Sequence, residues 1–375
     1  MKAGYMSYKV PFIKPSFPSA KDLVNDYEQI VDSNWFTNYG PFEQRFRKEL
    51  KSYLKLPVEI CTVANATLGL AVVFEALLTK TASKRKVLMP SFTFAAGAGV
   101  LVNMGYEPVF IDIDANWQPD IEQARRYLDI NEDRVAGILL CNVFGVGNRD
   151  VSKWESLASE YNLPLVIDSA AGFGSKYTKN EYVGGRGNCE IFSLHATKPF
   201  CVGEGGLIVS KNKKLIELCK SLTNFGFNSD RKVELAGTNA KLQEISCAIG
   251  LRQLKGLQKR IEGRQKSLEY YKQRLQPHGF IFQSNDELST VPFVSVFVLS
   301  KSTLQNVSKS LSENEIEHKF YYDPLHTQPA FEKYTLDTIS LETTNFMAGR
   351  TISLPLHDNM KRLTIDKIVD SIIKK

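Results

Sequence analysis

Short apolar runs rich in β-favouring residues alternate with helix-like stretches between about residues 58 and 210. The apolar runs cover residues 87–89, 108–111, 135–141, 163–167, 190–194 and 206–209. Between them, apolar residues recur at mixed spacings of three and four, which predicts helices over 67–78, 95–104, 120–128 and 151–161. Several runs are apolar throughout, as buried parallel strands are. The alternation therefore predicts an α/β fold, with a mostly parallel sheet covered by helices on both faces.

The pattern changes after the Gly-Gly turn at 205–206. A long stretch rich in Lys, Gln and Leu predicts one helix over about 241–275, which Pro277 and Gly279 end. The remainder predicts a smaller α+β region, with strands or extended pieces at 291–299 and 351–355 and helices at 304–314 and 363–373. We therefore expect two domains, 1–250 and 251–375, with the first 25 or so residues forming an arm that packs on one of them.

Composition and charge narrow the class of protein. The 375 residues are 43% hydrophobic, enough for a sizeable core, and 47 Lys and Arg against 41 Asp and Glu leave a net charge of +6. This mild excess does not call for nucleic acid as a partner. No apolar run approaches the roughly 20 residues of a membrane span, and the N-terminus has no apolar leader, so we expect a cytoplasmic protein with no membrane association.

Several common catalytic motifs are absent from the sequence. The six cysteines never form C-x-x-C and have no nearby His at metal-ligand spacing, which predicts reduced thiols and no metal site. The first strand-to-helix turn reads Val-Ala-Asn-Ala-Thr at 63–67, without the glycines of a dinucleotide site. P-loop, zincin and α/β-hydrolase motifs are likewise missing.

Three polar features follow apolar runs, where open α/β sheets bind ligands. At 65–67, Asn-Ala-Thr opens a helix whose free amides favour a phosphate, although such residues also serve as plain N-caps. Asp168 closes a buried strand and could equally cap the next element. Lys198 lies in a loop that ends with glycines at 203–206. Most lysines are solvated surface charges, but an enclosed one can have a lowered pKa and form a Schiff base.

Together these features offer an amine, a carboxylate and an anion cradle, the groups that pyridoxal 5'-phosphate (PLP) requires. At this point the sequence resembles the sugar aminotransferases of the DegT/DnrJ/EryC1/StrS family over nearly the whole chain. The matching motifs, in chain order, are Trp35-Phe36-Thr37-Asn38-Tyr39-Gly40-Pro41, Asn65-Ala66-Thr67, Pro90-Ser91-Phe92-Thr93-Phe94, Ser193 to Lys198 with Gly203-Glu204-Gly205-Gly206, Gly237-Thr238-Asn239-Ala240-Lys241-Leu242, Ala248-Ile249-Gly250-Leu251, Tyr322-Asp323-Pro324-Leu325-His326 and Ser353-Leu354-Pro355. The resemblance implies the aspartate aminotransferase-like fold, PLP-dependent transferase fold type I.

The resemblance also implies a role for each site residue. Lys198 would hold the cofactor through its aldehyde and then shuttle the proton between the substrate carbon and cofactor C4', while Asp168 would keep the ring nitrogen protonated. Phe94 would cover one ring face, and His326 would touch the substrate sugar. The phosphate ligands implied are Asn65, Ala66 and Thr67 of the first turn, Ser193, and Asn239 from the neighbouring subunit of a homodimer with shared active sites.

Two positions depart from the family pattern. Ala66 stands where the phosphate turn usually has Gly, and Ala171 stands where a Gln often lies near the cofactor O3'. The second change puts one cofactor contact in question, not the chemistry. Relatives that act as sugar 3-dehydratases carry His in place of the lysine, so Lys198 favours transamination over dehydration.

The implied reaction moves an amino group from L-glutamate onto a nucleotide-linked keto-deoxysugar. The first choice is a dTDP-4-keto-6-deoxyhexose aminated at C4, and amination at C3 is the alternative. The product would be an amino sugar for O-antigen (lipopolysaccharide), another surface polysaccharide or a glycosylated metabolite. Two further hypotheses remain open at this stage. One is a binding protein that kept the fold without catalysis, and the other is a nicotinamide-dependent sugar-nucleotide oxidoreductase, which the missing glycine fingerprint disfavours.

Overall fold

Strands and helices alternate along most of the chain. A computed structural model describes residues 8–79, 81, 83–284, 286–336 and 339–373. The helices are α1 Ala20–Ser33, α2 Pro41–Leu54, α3 Ala66–Leu77, α4 Ala96–Asn103, α5 Ile121–Asn131, α6 Val151–Glu160, α7 Lys213–Leu222, α8 Glu244–Lys255, α9 Leu257–Leu275, α10 Lys301–Glu313, α11 Glu342–Ala348 and α12 Arg362–Ile373. The strands are β1 Glu59–Val63, β2 Lys86–Pro90, β3 Glu107–Ile111, β4 Val135–Cys141, β5 Leu165–Asp168, β6 Lys176–Thr178, β7 Glu181–Tyr182, β8 Cys189–Ser193, β9 Gly206–Ser210, β10 Ile281–Phe282, β11 Val294–Phe297 and β12 Thr351–Leu354.

The largest sheet confirms the predicted mostly parallel architecture. Within the described residues it has seven strands in the order β1-β9-β8-β5-β4-β2-β3. From β8 to β3 every neighbouring pair is parallel, and β9 runs antiparallel to both of its neighbours. Because β1 and β8 both oppose β9, the carboxyl end of β1 lies at the same edge of the sheet as those of β8, β5, β4 and β2.

Both faces of this sheet are covered, as predicted. Successive side chains of a strand point to opposite faces. In β5, Val166 belongs to one hydrophobic core, whereas Leu165 and Ile167 belong to the other. Burial on both faces explains why these strands read as continuous apolar runs. The predicted helices over 67–78, 95–104, 120–128 and 151–161 correspond to α3, α4, α5 and α6.

The helical stretch predicted over 241–275 is two helices, α8 and α9, separated at Gly256. Gly256 has φ −107° and ψ 3°, outside helical geometry, and an Arg260 guanidinium nitrogen donates to the Gln253 carbonyl at 2.7 Å, beside the break. The first turns of α9 enter the core of the large sheet through Leu257 and Ile261, and its later turns enter a separate core.

That separate core holds the predicted smaller α+β region. It consists of the sheet β10-β11-β12, packed against α10, α12 and the second half of α9. The N-terminal segment also joins it, because Val10 forms a β-bridge with Ile316 and its carbonyl accepts from the Glu317 amide at 2.9 Å. The domain boundary near residue 250 stays a prediction.

All six cysteines are free and buried, as expected for reduced thiols. The described residues contain no group of His, Cys, Asp or Glu side chains arranged to hold a metal ion. Across the same residues, no helix combines the length and the apolar character that crossing a membrane requires.

Candidate active site

The predicted site residues lie where strands of the large sheet end. Asn65 follows β1, Phe94 follows β2, Asp168 is the last residue of β5, and Ser193 is the last residue of β8. Because those strand ends share one edge of the sheet, residues far apart in the sequence meet there. This is the edge at which open α/β sheets bind ligands.

The turn at Asn65 prepares the N-terminus of α3 for an anion. The Asn65 side chain accepts from the Leu68 amide at 2.9 Å and so caps the helix. Ala66 and Thr67, the first two helical residues, have amides that precede any intrahelical acceptor. Since Ala66 sits inside α3, no positive φ is needed there, and the departure from Gly costs the turn nothing. The two amides therefore offer a phosphate site at the positive end of a helix dipole.

Gly206 brings the other side of the predicted phosphate site close to this turn. It is the first residue of β9 and is paired with Val63 of β1 on one side and Ser193 of β8 on the other. A Cβ at Gly206 would lie 2.7 Å from the Ala66 amide nitrogen and 2.8 Å from the Asn65 carbonyl carbon. The absent side chain lets the helix N-terminus approach β9, so Ser193 and the helix amides meet beside one strand.

Lys198 lies in the loop that connects β8 to β9. The loop is held by hydrogen bonds from the Ala196 amide to the Gly203 carbonyl at 2.8 Å and from the Lys198 amide to the His195 carbonyl at 2.9 Å. Gly203 has φ +100°, a conformation that favours glycine. Burial lowers the pKa of the Lys198 ammonium, and the charge of Asp168 partly opposes this shift. A lowered pKa increases the fraction of neutral, nucleophilic amine.

Asp168 faces the same site from β5. One carboxylate oxygen accepts from the Ala170 amide at 2.9 Å, which orients the group. Burial raises the pKa of Asp168, while that hydrogen bond and the positive charge of Lys198 lower it. Cys141, the last residue of β4, is the register partner of Asp168, and burial raises the pKa of its thiol. The carboxylate is thus held in a low-polarity site where a cationic ring nitrogen would be a favourable partner.

An aromatic wall stands beside these groups. Phe94 is 62% exposed, so its ring has a free face. The Tyr322 ring contacts Phe94 edge-on at 6.4 Å between centroids, and it stacks on Phe144 at 5.5 Å with an interplanar angle of 17°. Phe92 meets Tyr322 edge-on at 5.8 Å. The geometry suits a ring-stacking role for Phe94, and Tyr322 is a neighbour for which sequence reasoning had no role.

His326 reaches the same region through Ser91. Its Nδ1 lies 2.7 Å from the Ser91 hydroxyl, and its backbone amide donates to the same oxygen at 3.2 Å. Burial lowers the pKa of His326, and a hydrogen bond with the Asn345 side chain opposes that shift. The ring is therefore neutral near pH 7 and is bonded to protein groups rather than free in a loop.

The remaining two positions singled out from the sequence are Asn239 and Ala171. Asn239 is exposed, and the neighbouring Ala240 carbonyl accepts from the Ala64 amide at 2.7 Å, just before the phosphate turn. Ala171 packs under the turn at Gly145, where a Cβ would lie 2.6 Å from the Ala171 carbonyl oxygen. Gly145 has φ +85°, so the close approach and the backbone both require glycine there.

A buried polar network behind Asp168 was missed by sequence reasoning. Glu190 is fully buried and accepts from the hydroxyls of Ser169 at 2.8 Å and Tyr177 at 3.1 Å, and from two backbone amides. Asn142 donates to both of those hydroxyls. Burial raises the pKa of Glu190, and these hydrogen bonds oppose it. The network fixes Ser169, the residue after Asp168. A Glu in the middle of an apolar strand was the signal that could have revealed it.

The assembled groups fit PLP. The close approach at Gly206 forms a cradle that a Cβ would fill, with two helix amides and Ser193 around it. An amine of lowered pKa and a buried carboxylate stand at the same sheet edge, beside a ring with a free face. A phosphate, an aldehyde and a pyridine nitrogen each have a chemically matched partner among these groups.

The family model of the DegT/DnrJ/EryC1/StrS aminotransferase family matches residues 19–373. The chain belongs to this family. Protein Rv3402c of Mycobacterium tuberculosis is 45% identical to it over 97% of this chain and 89% of that protein. The dTDP-4-amino-4,6-dideoxy-D-glucose transaminase of Shigella dysenteriae is 27% identical over 96% of this chain and 97% of the relative. A solved structure from Bacillus cereus, assigned as a PLP-dependent aminotransferase, superposes with a TM-score of 0.90 at 31% identity, covering 97% of this chain and 99% of that one.

Membership of the DegT/DnrJ/EryC1/StrS family confirms the expected fold type, and it makes the protein a PLP-dependent aminotransferase. The two alternative hypotheses, a nicotinamide-dependent oxidoreductase and a non-catalytic binding protein, are thereby set aside. The individual residue assignments remain predictions, now supported by their common location at one edge of the sheet.

Proposed function

We propose that the enzyme transfers an amino group from L-glutamate to C4 of a nucleotide-linked keto-deoxysugar, with a dTDP-4-keto-6-deoxyhexose as first choice. The observation that supports catalysis is that Asp168 ends β5 and Lys198 lies in the loop that follows the neighbouring strand β8, where each charge acts on the pKa of the other. The product would be an amino sugar for O-antigen or another surface glycan. When bound, PLP supplies an aldehyde that receives the amino group and a ring that withdraws electrons from the substrate carbon.

The chain's own residues perform the remaining work. The Lys198 amine would hold the cofactor through its aldehyde and would carry a proton at Nζ to and from the reacting carbon. The Asp168 carboxylate keeps the ring nitrogen protonated through a charge-assisted hydrogen bond. The Ala66 and Thr67 amides, with Ser193, hold the phosphate, and Phe94 covers the ring. Together these contacts would hold the cofactor at its phosphate and at its ring nitrogen.

The choice of acceptor is supported by the Shigella relative, whose name denotes a dTDP-linked 4-amino-4,6-dideoxy sugar. The two chains cover 96% and 97% of each other, so the likeness includes the parts that surround the site. Amination at C3 is the alternative acceptor position. Amination at C3 and amination at C4 differ in how the sugar lies against the cofactor. The residues that bind the cofactor do not determine this orientation.

The first test is an absorbance spectrum of the protein with PLP. A violet band from the lysine-bound cofactor that shifts to the near ultraviolet on adding L-glutamate would support the donor. Keto-sugar nucleotides are then screened for the one that restores the violet band, and product analysis by NMR distinguishes C4 from C3. A violet band that ignores L-glutamate would reject this donor, and restoration by no nucleotide-linked keto sugar would reject the acceptor class.

We further propose a homodimer in which Asn239 completes the partner's phosphate site. The segment around Asn239 exposes Phe225, 45% accessible, and the nearby segment exposes Trp35 and Phe36 at 46% and 51%. A hydrogen bond from the Glu244 amide to the Phe36 carbonyl ties these segments together. Neighbouring exposed aromatic side chains of this kind mark association surfaces.

Complementation tests the shared site directly. Lys198→Ala and Asn239→Ala chains are each purified, mixed under dissociating conditions and reassembled. If Asn239 acts across the interface, the mixed dimer contains one intact site and activity returns. If it acts within its own chain, both sites of the mixed dimer are defective, and the mixture stays as inactive as its parents.

A further inference from the structure

The segment 321–326 is fastened to the turn that carries Phe94. The Leu325 amide donates to the Ser91 carbonyl at 2.9 Å, and the His326 amide donates to the Ser91 hydroxyl at 3.2 Å. Ser91 follows β2 directly and is fully buried. A part of the chain from well beyond the large sheet is thus held against the cofactor site by backbone hydrogen bonds.

The His326 imidazole strengthens this attachment. Its Nδ1 pairs with the Ser91 hydroxyl at 2.7 Å. Because the Ser91 oxygen already accepts from the His326 amide, its hydroxyl hydrogen is available to Nδ1, which accepts it when the ring is neutral. The backbone amide and Nδ1 of this histidine both bond to Ser91, so its polar contacts serve to position the segment.

Tyr322 of the same segment has the opposite character. Its ring is packed against Phe92, Phe94 and Phe144. Among the described residues no group hydrogen-bonds its hydroxyl, and this oxygen is not one of the unpaired polar atoms sealed from the surface. Burial raises the pKa of Tyr322, and the charge of Asp168 raises it further, so the hydroxyl remains a hydrogen-bond donor at any working pH. A ring packed among three aromatic side chains therefore carries a hydroxyl donor beside Phe94, the predicted stacking partner of the cofactor.

None of the described residues assigned so far is a matched donor for the phenolic O3' of PLP. Asp168 is suited to the ring nitrogen, the helix amides to the phosphate and Lys198 to the aldehyde, whereas Ala171 has no side-chain amide to offer. We propose that the Tyr322 hydroxyl donates a hydrogen bond to this oxygen, and that His326 and Ser91 act as positioning residues that hold Tyr322 there. The proposal depends on the cofactor alone and is independent of the sugar acceptor.

The test removes one oxygen atom from the site. Tyr322→Phe keeps the packed ring, so the variant is expected to fold, which is checked by its thermal melt without cofactor. We expect PLP to bind about 10- to 150-fold more weakly, because a hydrogen bond to an anionic oxygen is lost. The violet band is also titrated with pH, and its midpoint is the pH at which half of its intensity is lost. This midpoint should rise by about 0.5 units or more, since the ring oxygen becomes more basic without its donor.

Tyr321→Phe is the matched control. Its ring stacks on that of Tyr322 at 5.3 Å, and the substitution removes the same atom one residue away. It should leave PLP affinity and the pH midpoint unchanged. Ser91→Ala, which releases His326, should shift the midpoint in the same direction, and the Ser91→Ala/Tyr322→Phe double variant should shift it no further than Tyr322→Phe alone.

Two results overturn the proposal. One is a Tyr322→Phe protein with the PLP affinity and pH midpoint of the unaltered enzyme. The other is an equal shift in Tyr321→Phe, which would show a general disturbance of the segment. Because every measurement is made without donor or sugar, failure here leaves the proposed reaction untouched, and failure of the sugar screen leaves this result standing.

Discussion

Replacing Gly206 by Ala tests whether the close approach at the helix N-terminus forms the phosphate site. The added Cβ would stand 2.7 Å from the Ala66 nitrogen, 2.8 Å from the Asn65 carbonyl carbon and 2.9 Å from a Val63 methyl group. Real Cβ atoms essentially never lie under 3.0 Å from such neighbours, and two of these three are backbone atoms that cannot rotate away. The start of α3 must therefore move away from β9.

The magnitude follows from overpacking and from the lost phosphate contact. Overpacking a well-filled site costs about 1–3 kcal/mol. For a chain of 375 residues this lowers Tm by roughly 1–4 °C. Displacing one amide from an anionic ligand removes about 1.5–3 kcal/mol of binding, which weakens PLP affinity roughly 10- to 150-fold.

The assay combines thermal melts of the cofactor-free protein with PLP titration followed by absorbance. Gly99→Ala is the matched control, because Gly99 lies inside α4 and a Cβ there meets nothing within 4 Å. Alanine in a helix interior is more favourable than glycine by about 0.5–1 kcal/mol, so this variant should melt higher and bind PLP normally. A Gly206→Ala protein that binds PLP as tightly as the Gly99→Ala protein would refute the assignment of the phosphate site.

Three further outcomes are expected. Lys198→Ala should lose transamination and the violet band while still binding PLP non-covalently, which dialysis and absorbance would measure; any retained turnover removes Lys198 as the proton carrier. Asp168→Asn should lower kcat by at least about 10²-fold while melting close to the unaltered protein, because only the charge on the ring nitrogen's partner is lost; a cap-like change in Tm with unchanged kcat would contradict this. His357 donates from Nε2 to the Pro11 carbonyl at 2.7 Å, and burial lowers its pKa below 6.5. The unfolded chain therefore takes up this proton at a higher pH than the folded protein does. The stability that this group contributes is lost as pH falls from about 6.5 through the folded pKa. His357→Gln should flatten this fall in urea unfolding between pH 7.5 and 5.5, and an unchanged pH dependence would reject the assignment.

The hydrophobic pattern was sufficient to predict strands that are buried on both faces and helices that bury one continuous face. Six of the seven described strands of the large sheet were predicted from their apolar runs, because burial on both faces leaves a strong apolar signal, and the helices α3 to α6 were predicted from residue spacing. Strand β1 was not among the predicted runs. The same signal was present but unused for α7, where Leu215, Ile216, Cys219 and Leu222 form a buried stripe behind the Asn212 cap. The break at Gly256 went unpredicted because a single glycine inside a helical pattern is often tolerated.

The candidate site was predictable in its chemistry and not in its assembly. Asp168 and Lys198 carry local signals, a carboxylate closing an apolar strand and a lysine in a glycine-bounded loop. The pairing of Ser91 with His326 joins residues 235 positions apart and leaves no local pattern. The groups that donate hydrogen bonds to Glu190 come from several separate parts of the chain. They meet the carboxylate only in the folded protein, so no spacing in the sequence reveals them.

The position of β9 between β1 and β8 has a consequence for the order in which the site becomes rigid. Ser193 and Gly206 face each other across a hairpin that bears Lys198, so the amine and one wall of the phosphate cradle form from neighbouring stretches of chain. The other wall arrives with β1, the outermost strand of the sheet, from far earlier in the sequence. A bound phosphate would contact both walls and hold the edge strand β1 against β9. It would therefore slow hydrogen exchange at the amides of β1 more than at those of the central strands.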